Sequence, residues 1–469
     1  MSYSNNRVQK LSAISALIIK TIGQMKTALC IVPFVTICLF VSCRGGSGSG
    51  NDTGDNNNTP PPVVIAHLDT IKVNVYIENS FSMDGYINGQ TAFKDAIREM
   101  LVMLKYHYDE RNIKVYFINS AIHPTPATIN LANFANDINM YWYVGNQANS
   151  RLDEIFKMVL AQTNNQTISI LFSDYIYSIS GVPTNDLLSS AKILTKDAFL
   201  SKWRDDQVPL STTIVKLESK FNGRYYPSTS GSFQIGMERP YYICVFANQE
   251  ILHDFNRKIT LEAGRIEGYK NKYVLSSEDP KSIYWSVLNS SFNIGRFKPD
   301  KELSDKKFIR GIQDVRLMSR GVGCTRGNTQ PLIFAVAVDF SQIQAEDSYI
   351  CDPVNYTVTT GNFTVTEVCP IDTCKSKISA NDWNTIQEGK PTHIVVLEGK
   401  SKQIADVTFL LKKQIPQWIY QSSTEDDSSV AKLNGTTFGL KYWVEGIAEA
   451  YETIYPDRKN YFECSISIK

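Results

Sequence analysis

Apolar and polar residues alternate just after residue 70: Val73, Val75 and Ile77 interleave with Lys72, Asn74 and Tyr76. A period of two on a β-branched, aromatic-rich run predicts a strand. Phe93, Ile97, Met100, Leu101, Leu104 and Tyr108 then recur at helical spacing, which predicts an amphipathic helix over 91–108. The same reading places a strand on Ile113, Val115 and Phe117, a helix over 151–162 and a continuous apolar strand over 167–172. A helix over 186–203, strands over 212–219 and 241–246, and a helix over 250–259 continue the series. The loop over 221–232 carries Tyr225 and Tyr226, either as recognition residues or packed on the sheet edge. Strand and helix alternate in this way across 63–264, which predicts a doubly wound, mostly parallel α/β sheet.

The pattern changes from residue 265 onward. Apolar runs over 331–340, 355–365 and 393–397 read as strands between polar turns. Helical spacing returns once clearly, on Phe438, Trp443, Ile447, Tyr451 and Ile454, before a final alternating strand on Phe462, Cys464, Ile466 and Ile468. Residues 265–469 are therefore expected to form a β-rich second domain, a sandwich in outline, with one late helix. The pattern leaves open whether that helix returns to the α/β domain.

The first 62 residues follow neither pattern. Lys26 precedes an apolar stretch over 28–41 that is short for a mature spanning helix, as in a secretory signal. Phe40, Val41, Ser42 and Cys43 resemble a bacterial lipobox, which implies lipidation of Cys43. Met25 begins a complete signal by itself, so it is the expected start. The competing reading, an uncleaved anchor reaching back to Leu11, is interrupted by Lys20, Gln24 and Lys26. Residues 44–62 are rich in Gly, Ser and Asn and close on three prolines, a composition that reads as a flexible tether. The expectation is an exported lipoprotein of the cell envelope. Arg44 after the Cys favours the outer membrane, on its periplasmic or its surface face.

Charge narrows the partners. With 48 basic and 47 acidic residues, the formal net charge of +1 gives no electrostatic case for nucleic acid. Setting aside Cys30, Cys38 and Cys43 leaves Cys244, Cys324, Cys351, Cys369, Cys374 and Cys464, an even set that favours disulfides in an oxidising compartment. Cys369 and Cys374 are close enough for a local bridge, while Cys244 also reads as a core thiol. The five His share no motif, no G-x-S-x-G elbow occurs, and Gly399, Lys400 and Ser401 lack the first glycine of a P-loop.

The strand at 72–78 ends in short oxygen-bearing side chains: Glu78, Asn79, Ser80, Phe81 and Ser82, followed by Met83, Asp84 and Gly85. This stretch resembles the first metal-site motif of von Willebrand factor type A domains, D-x-S-x-S followed by Met, any residue and Gly. Glu78 departs from the pattern by one methylene. The strand ending on Ser173 and Asp174 resembles the later metal segment of that family, and Ser150 sits where its Thr ligand falls, without the usual Gly-Thr context. The resemblance spans roughly two fifths of the chain. It implies a site of Glu78, Ser80, Ser82, Ser150 and Asp174 for Mg²⁺ or Mn²⁺ at the carboxyl edge of the sheet, completed by an acidic side chain of a protein partner. A plain strand-to-helix turn, its hydroxyls satisfying backbone groups, competes with it. The alternative activity is a metal-dependent hydrolase of exported substrates, with Asp84 as the further carboxylate.

Overall fold

The computed structural model describes residues 70–148, 151–176, 184–229, 231–276, 282–318, 330–399 and 405–469. Cys43, Ser150 and Cys324 lie outside the described residues, as do the segments expected to be a signal and a tether. The described residues form one compact unit.

A seven-stranded sheet organises the first half. Its strands are β1 (Lys72–Glu78), β2 (Ile113–Ile118), β3 (Ile122–Pro124), β4 (Thr167–Ser173), β5 (Leu210–Tyr225), β6 (Phe233–Asn248) and β7 (Tyr269–Leu275). They lie in the order β3-β2-β1-β4-β6-β5-β7. Helix α1 (Ala92–His107) joins β1 to β2; α2 (Phe134–Tyr141) and α3 (Leu152–Ala161) precede β4; α4 (Thr184–Asp206) leads to β5, and α5 (Gln249–Lys258) follows β6. Thr91 caps α1, its Oγ1 accepting from the Lys94 N–H at 3.4 Å, as expected of a hydroxyl at that position. Phe93, Ile97, Met100 and Leu101 turn the apolar stripe of α1 onto one face of the sheet.

The sheet is not mostly parallel. β1 pairs parallel with β2 and with β4, whereas β3, β6, β5 and β7 all join antiparallel. The reason is local: β5 and β6 are one long hairpin with sixteen paired residues on each arm. Strands joined by a hairpin must run antiparallel. The segment expected as a loop over 221–232 is mostly the end of that hairpin, so Phe221 and Tyr225 are buried while Tyr226 is exposed at the tip. Helix α2 has no counterpart in the sequence reading.

Two further sheets make up most of the remainder. One has the strands β8 (Trp285–Val287), β11 (Ile333–Val338), β13 (Phe363–Pro370) and β14 (His393–Gly399) in the order β13-β14-β11-β8. The other holds β9 (Arg296–Pro299), β10 (Gly311–Arg316), β12 (Tyr356–Thr360), β15 (Val407–Lys412) and β18 (Asn460–Ile468) in the order β12-β15-β18-β10-β9. Val336, Val395 and Leu397 from the first pack with Ile312, Phe409, Phe462 and Ile466 from the second in one buried cluster. Two sheets sharing one apolar interior form a sandwich. The run over 355–365 is two strands, because Gly361, at φ +79°, turns β12 back into β13.

Between β15 and β18 the chain leaves the sandwich. It forms a small parallel pair, β16 (Ser423–Thr424) with β17 (Thr437–Phe438), then helix α7 (Leu440–Ile454), numbered after α6 (Ala380–Ile386). Trp443, Val444, Ile447 and Ala450 of α7 join Phe156, Leu188 and Phe246 in the core on the second face of the seven-stranded sheet. The late helix therefore returns to the α/β region. Gly446 lets α7 approach α4: a Cβ there would lie 2.5 Å from the Lys192 carbonyl. Lys192 and Lys196 reach Glu445 and Glu449 across the same crossing.

The five described cysteines are free thiols. The expected bridge between Cys369 and Cys374 is not formed. The helical turn Ile371–Cys374 instead directs the Cys374 thiol to the Pro370 carbonyl at 3.1 Å. Among the described residues no helix is long and apolar enough to cross a membrane.

Candidate functional site

Parallel pairing of β1 with β4 sets Ile77 opposite Phe172. One step further, Glu78 and Ser173 end their strands side by side, and the Ser173 hydroxyl donates to Glu78 Oε2. The Ser80 hydroxyl donates to Glu78 Oε1 at 2.8 Å and lies 2.9 Å from Ser82 Oγ. The next residue on β4's side, Asp174, is held against the same turn, its N–H directed at the Met83 sulfur at 3.2 Å. Glu78, Ser80, Ser82 and Asp174 are thus brought to one edge of the sheet. Ser150 is outside the described residues, but Gln147 is bonded into the turn: its Nε2–H donates to the Asn79 carbonyl, and its carbonyl accepts from the Phe81 N–H.

The site is nearly dry. Glu78, Ser80 and Asp174 are buried, Asp174 to 2% exposure, while Ser82 is half-buried and Phe81 is exposed. Asp174 Oδ1 accepts from the Ile176 N–H at 3.1 Å, but Oδ2 is buried with no hydrogen-bond partner among the described residues. Burial pushes the Asp174 carboxyl above the usual carboxylate range, against the opposing pull of the Ile176 N–H, the Ser82 hydroxyl and the charge of Arg239. Counting protons shows the shortfall. Ser80 gives its only proton to Glu78, so Ser82 must donate in the Ser80–Ser82 contact, and Asp174 competes for that same proton. An oxygen cluster short of protons accepts a cation readily.

Neighbouring residues fix this geometry. Asn79 donates to the carbonyls of Trp142 and Val144 and accepts from Asn119, which ties the 142–148 loop to the end of β1. Gly85 lets the β5 arm cross the turn, since a Cβ there would sit 2.5 Å from the Phe221 ring. Tyr175, directly after Asp174, adopts φ +54°, a left-handed conformation costly for a bulky residue. Trp443 of α7 stacks on its ring at 4.6 Å, and Tyr242 and Phe156 close in around it. Packing from the far end of the chain therefore holds the backbone that aims Asp174.

Asp84 sits apart from this cluster in its bonding. It accepts from Trp142 Nε1–H at 2.7 Å, and burial raises its carboxyl against that donor. Two residues at the site lie outside the expected ligand set. Ser173 was legible in principle, because parallel strands ending together set it beside Glu78. Arg239 on β6 was not: nothing in its neighbourhood marks a buried cation, yet it is 1% exposed. Its Nη1 donates to the Leu433 and Thr436 carbonyls, and its Nη2 is buried without a partner among the described residues.

Among the described residues no three His, Cys, Asp or Glu side chains gather to hold a metal. The set at this edge is two carboxyls and hydroxyls, the hard-oxygen kind that Mg²⁺ uses together with retained waters. Comparison with family models, curated proteins and solved structures found no match.

Proposed function

We propose that the protein is an exported, lipid-anchored binding protein whose α/β region is of von Willebrand type A character. A divalent cation, Mg²⁺ or Mn²⁺, is held by Ser80, Ser82 and Asp174, with Glu78 orienting the hydroxyl of Ser80 and Ser150 as a further ligand. A partner protein completes the coordination with an acidic side chain, entering past Ser82 and Phe81, the exposed side of the cluster. Cys43 carries the lipid, and the tether over 44–62 gives the folded unit reach from the membrane. One observation carries this reading: Asp174 is a buried carboxyl served, among the described residues, by the Ile176 N–H and by a Ser82 hydroxyl that Ser80 also engages. Buried polar atoms are usually paired, and a buried carboxyl short of donors beside a hydroxyl is a position that a cation would satisfy. The hydrolase alternative has less support, since Asp84 is engaged by Trp142.

The test is a thermal-shift series on the full chain with Mg²⁺, Mn²⁺ and chelator. The proposal expects a saturable rise in Tm that Ser80→Ala and Asp174→Asn abolish. An unchanged Tm, or an equal rise in both variants, removes the cation from the account.

A further inference from the structure

A second site lies towards the opposite end of the seven-stranded sheet. Leu275 on β7 pairs with Thr212, Thr212 with Phe246, and Phe246 with Ser169, so this part of β7 is level with the amino-terminal half of β4. There the sheet, α7 and the sandwich strands β15 and β18 enclose a cavity of about 470 Å³. That volume falls in the range of small-molecule sites.

The cavity has two chemistries. Its walls are apolar and aromatic, with Leu275, Leu410, Tyr451 and Tyr461 contributing. Their polar tips are already used: Tyr451 Oη is 2.9 Å from Thr212 Oγ1, and the Tyr461 hydroxyl donates to the Val274 carbonyl at 3.2 Å. The rings therefore present hydrocarbon to whatever enters. The lining also carries Lys412, Lys413, Arg458 and Lys459, and among the described lining residues one acid, Glu452. Lys413 Nζ stands 5.5 Å from the Tyr461 ring centre and the Arg458 guanidinium 4.4 Å from that of Tyr455, so these charges are fixed beside the apolar wall. Lys412 and Lys459 are exposed and make no ion pair among the described residues. In a chain of net charge +1, two exposed lysines on the rim of one apolar hollow offer it a local positive charge.

We infer that this cavity binds a small amphipathic acid: an apolar, largely hydrocarbon body seated against Leu275, Tyr451 and Tyr461, with one carboxylate or sulfonate held by Lys412 and Lys459. A neutral ligand of the same shape would gain the burial but not the charge pairing. This site is independent of the Asp174 cluster and would stand if the cation reading fell.

The experiment is a fluorescence titration of the full chain, free of detergent, with 1-anilinonaphthalene-8-sulfonate as the acidic probe. N-phenyl-1-naphthylamine is its neutral counterpart. The inference expects saturable binding of the acidic probe at one site per chain. The pair Lys412→Glu and Lys459→Glu, both exposed and so compatible with folding, weakens the acidic probe by roughly tenfold or more and leaves the neutral one unchanged. Ala448→Trp, which fills the hollow from α7, removes both signals. Far-ultraviolet circular dichroism of each variant confirms the fold. The inference is overturned if the charge-reversed protein binds the acidic probe as the wild type does, or if Ala448→Trp leaves the titration unaltered.

Discussion

Two buried aspartates, one in each half of the molecule, are treated in opposite ways. Asp382, on α6 beside the sandwich, is 3% exposed and accepts from the Asn289 and Ser290 N–H groups and from the hydroxyls of Ser290 and Ser291. Burial raises its carboxyl, but these donors outweigh burial and hold it below the usual range. Asp174, 2% exposed, has one backbone donor on Oδ1 and a Ser82 hydroxyl that Ser80 also engages, and burial wins. The difference separates a structural acid from a candidate ligand. Asp382 staples the 289–291 turn, while Asp174 is under-supplied with donors among the described residues, as the proposed cation ligand would be.

The comparison breaks most completely if the frame around Asp174 is removed. Trp443→Ala takes away the ring stacked on the left-handed Tyr175 and empties a fully buried position. It should cost about 3–5 kcal/mol in urea unfolding and abolish any cation response. Asp382→Ala should come next, at about 3 kcal/mol, because it strands two backbone N–H groups and two hydroxyls. It should leave a cation response intact.

Asp174→Asn should have the opposite sign. In chelator at pH 7 it should stabilise the protein by about 1 kcal/mol, since it removes a buried charge without enough donors. Linkage sharpens the contrast. The folded pKa of Asp174 is raised, so its stabilising protonated form is fully present below the unfolded pKa, and that contribution is lost as pH rises through the folded value. The folded pKa of Asp382 is lowered, so its contribution is present above the unfolded pKa and lost as pH falls through the folded value. Urea midpoints from pH 3 to 8 should therefore flatten on the upper side in Asp174→Asn and on the lower side in Asp382→Asn. The smallest effect should come from Phe81→Ala. Phe81 is 41% exposed and stands 6.4 Å from Tyr226 at the hairpin tip, so stability should move by no more than about 0.5 kcal/mol. If this ring pair covers the entry, cation on-rates should rise in that variant.

Much of the first region was legible because β4 is buried along its whole length, β1 and β2 alternate buried with more exposed residues, and α1 carries a clear apolar stripe. The helix expected over 91–108 is α1 within a residue at each end, and the strand expected over 167–172 is β4 with one residue added. The antiparallel half was not legible. A hairpin and two separate strands share the same alternation, and only the pairing of Tyr225 with Phe233 distinguishes them. Glu78, Ser80 and Ser82 stood out as oxygen-bearing side chains at a strand end, and Asp174 entered through the resemblance to the von Willebrand type A pattern. Arg239 and Trp443 could not, because their roles arise from packing across about 200 residues or more of chain, which no local period encodes.

The most direct measurement is anomalous diffraction from crystals of the full chain soaked in Mn²⁺. The account predicts an anomalous peak among Ser80 Oγ, Ser82 Oγ and Asp174 Oδ2. A well-ordered site without that peak, with Asp174 Oδ2 satisfied by water or by another side chain of this protein, would contradict it.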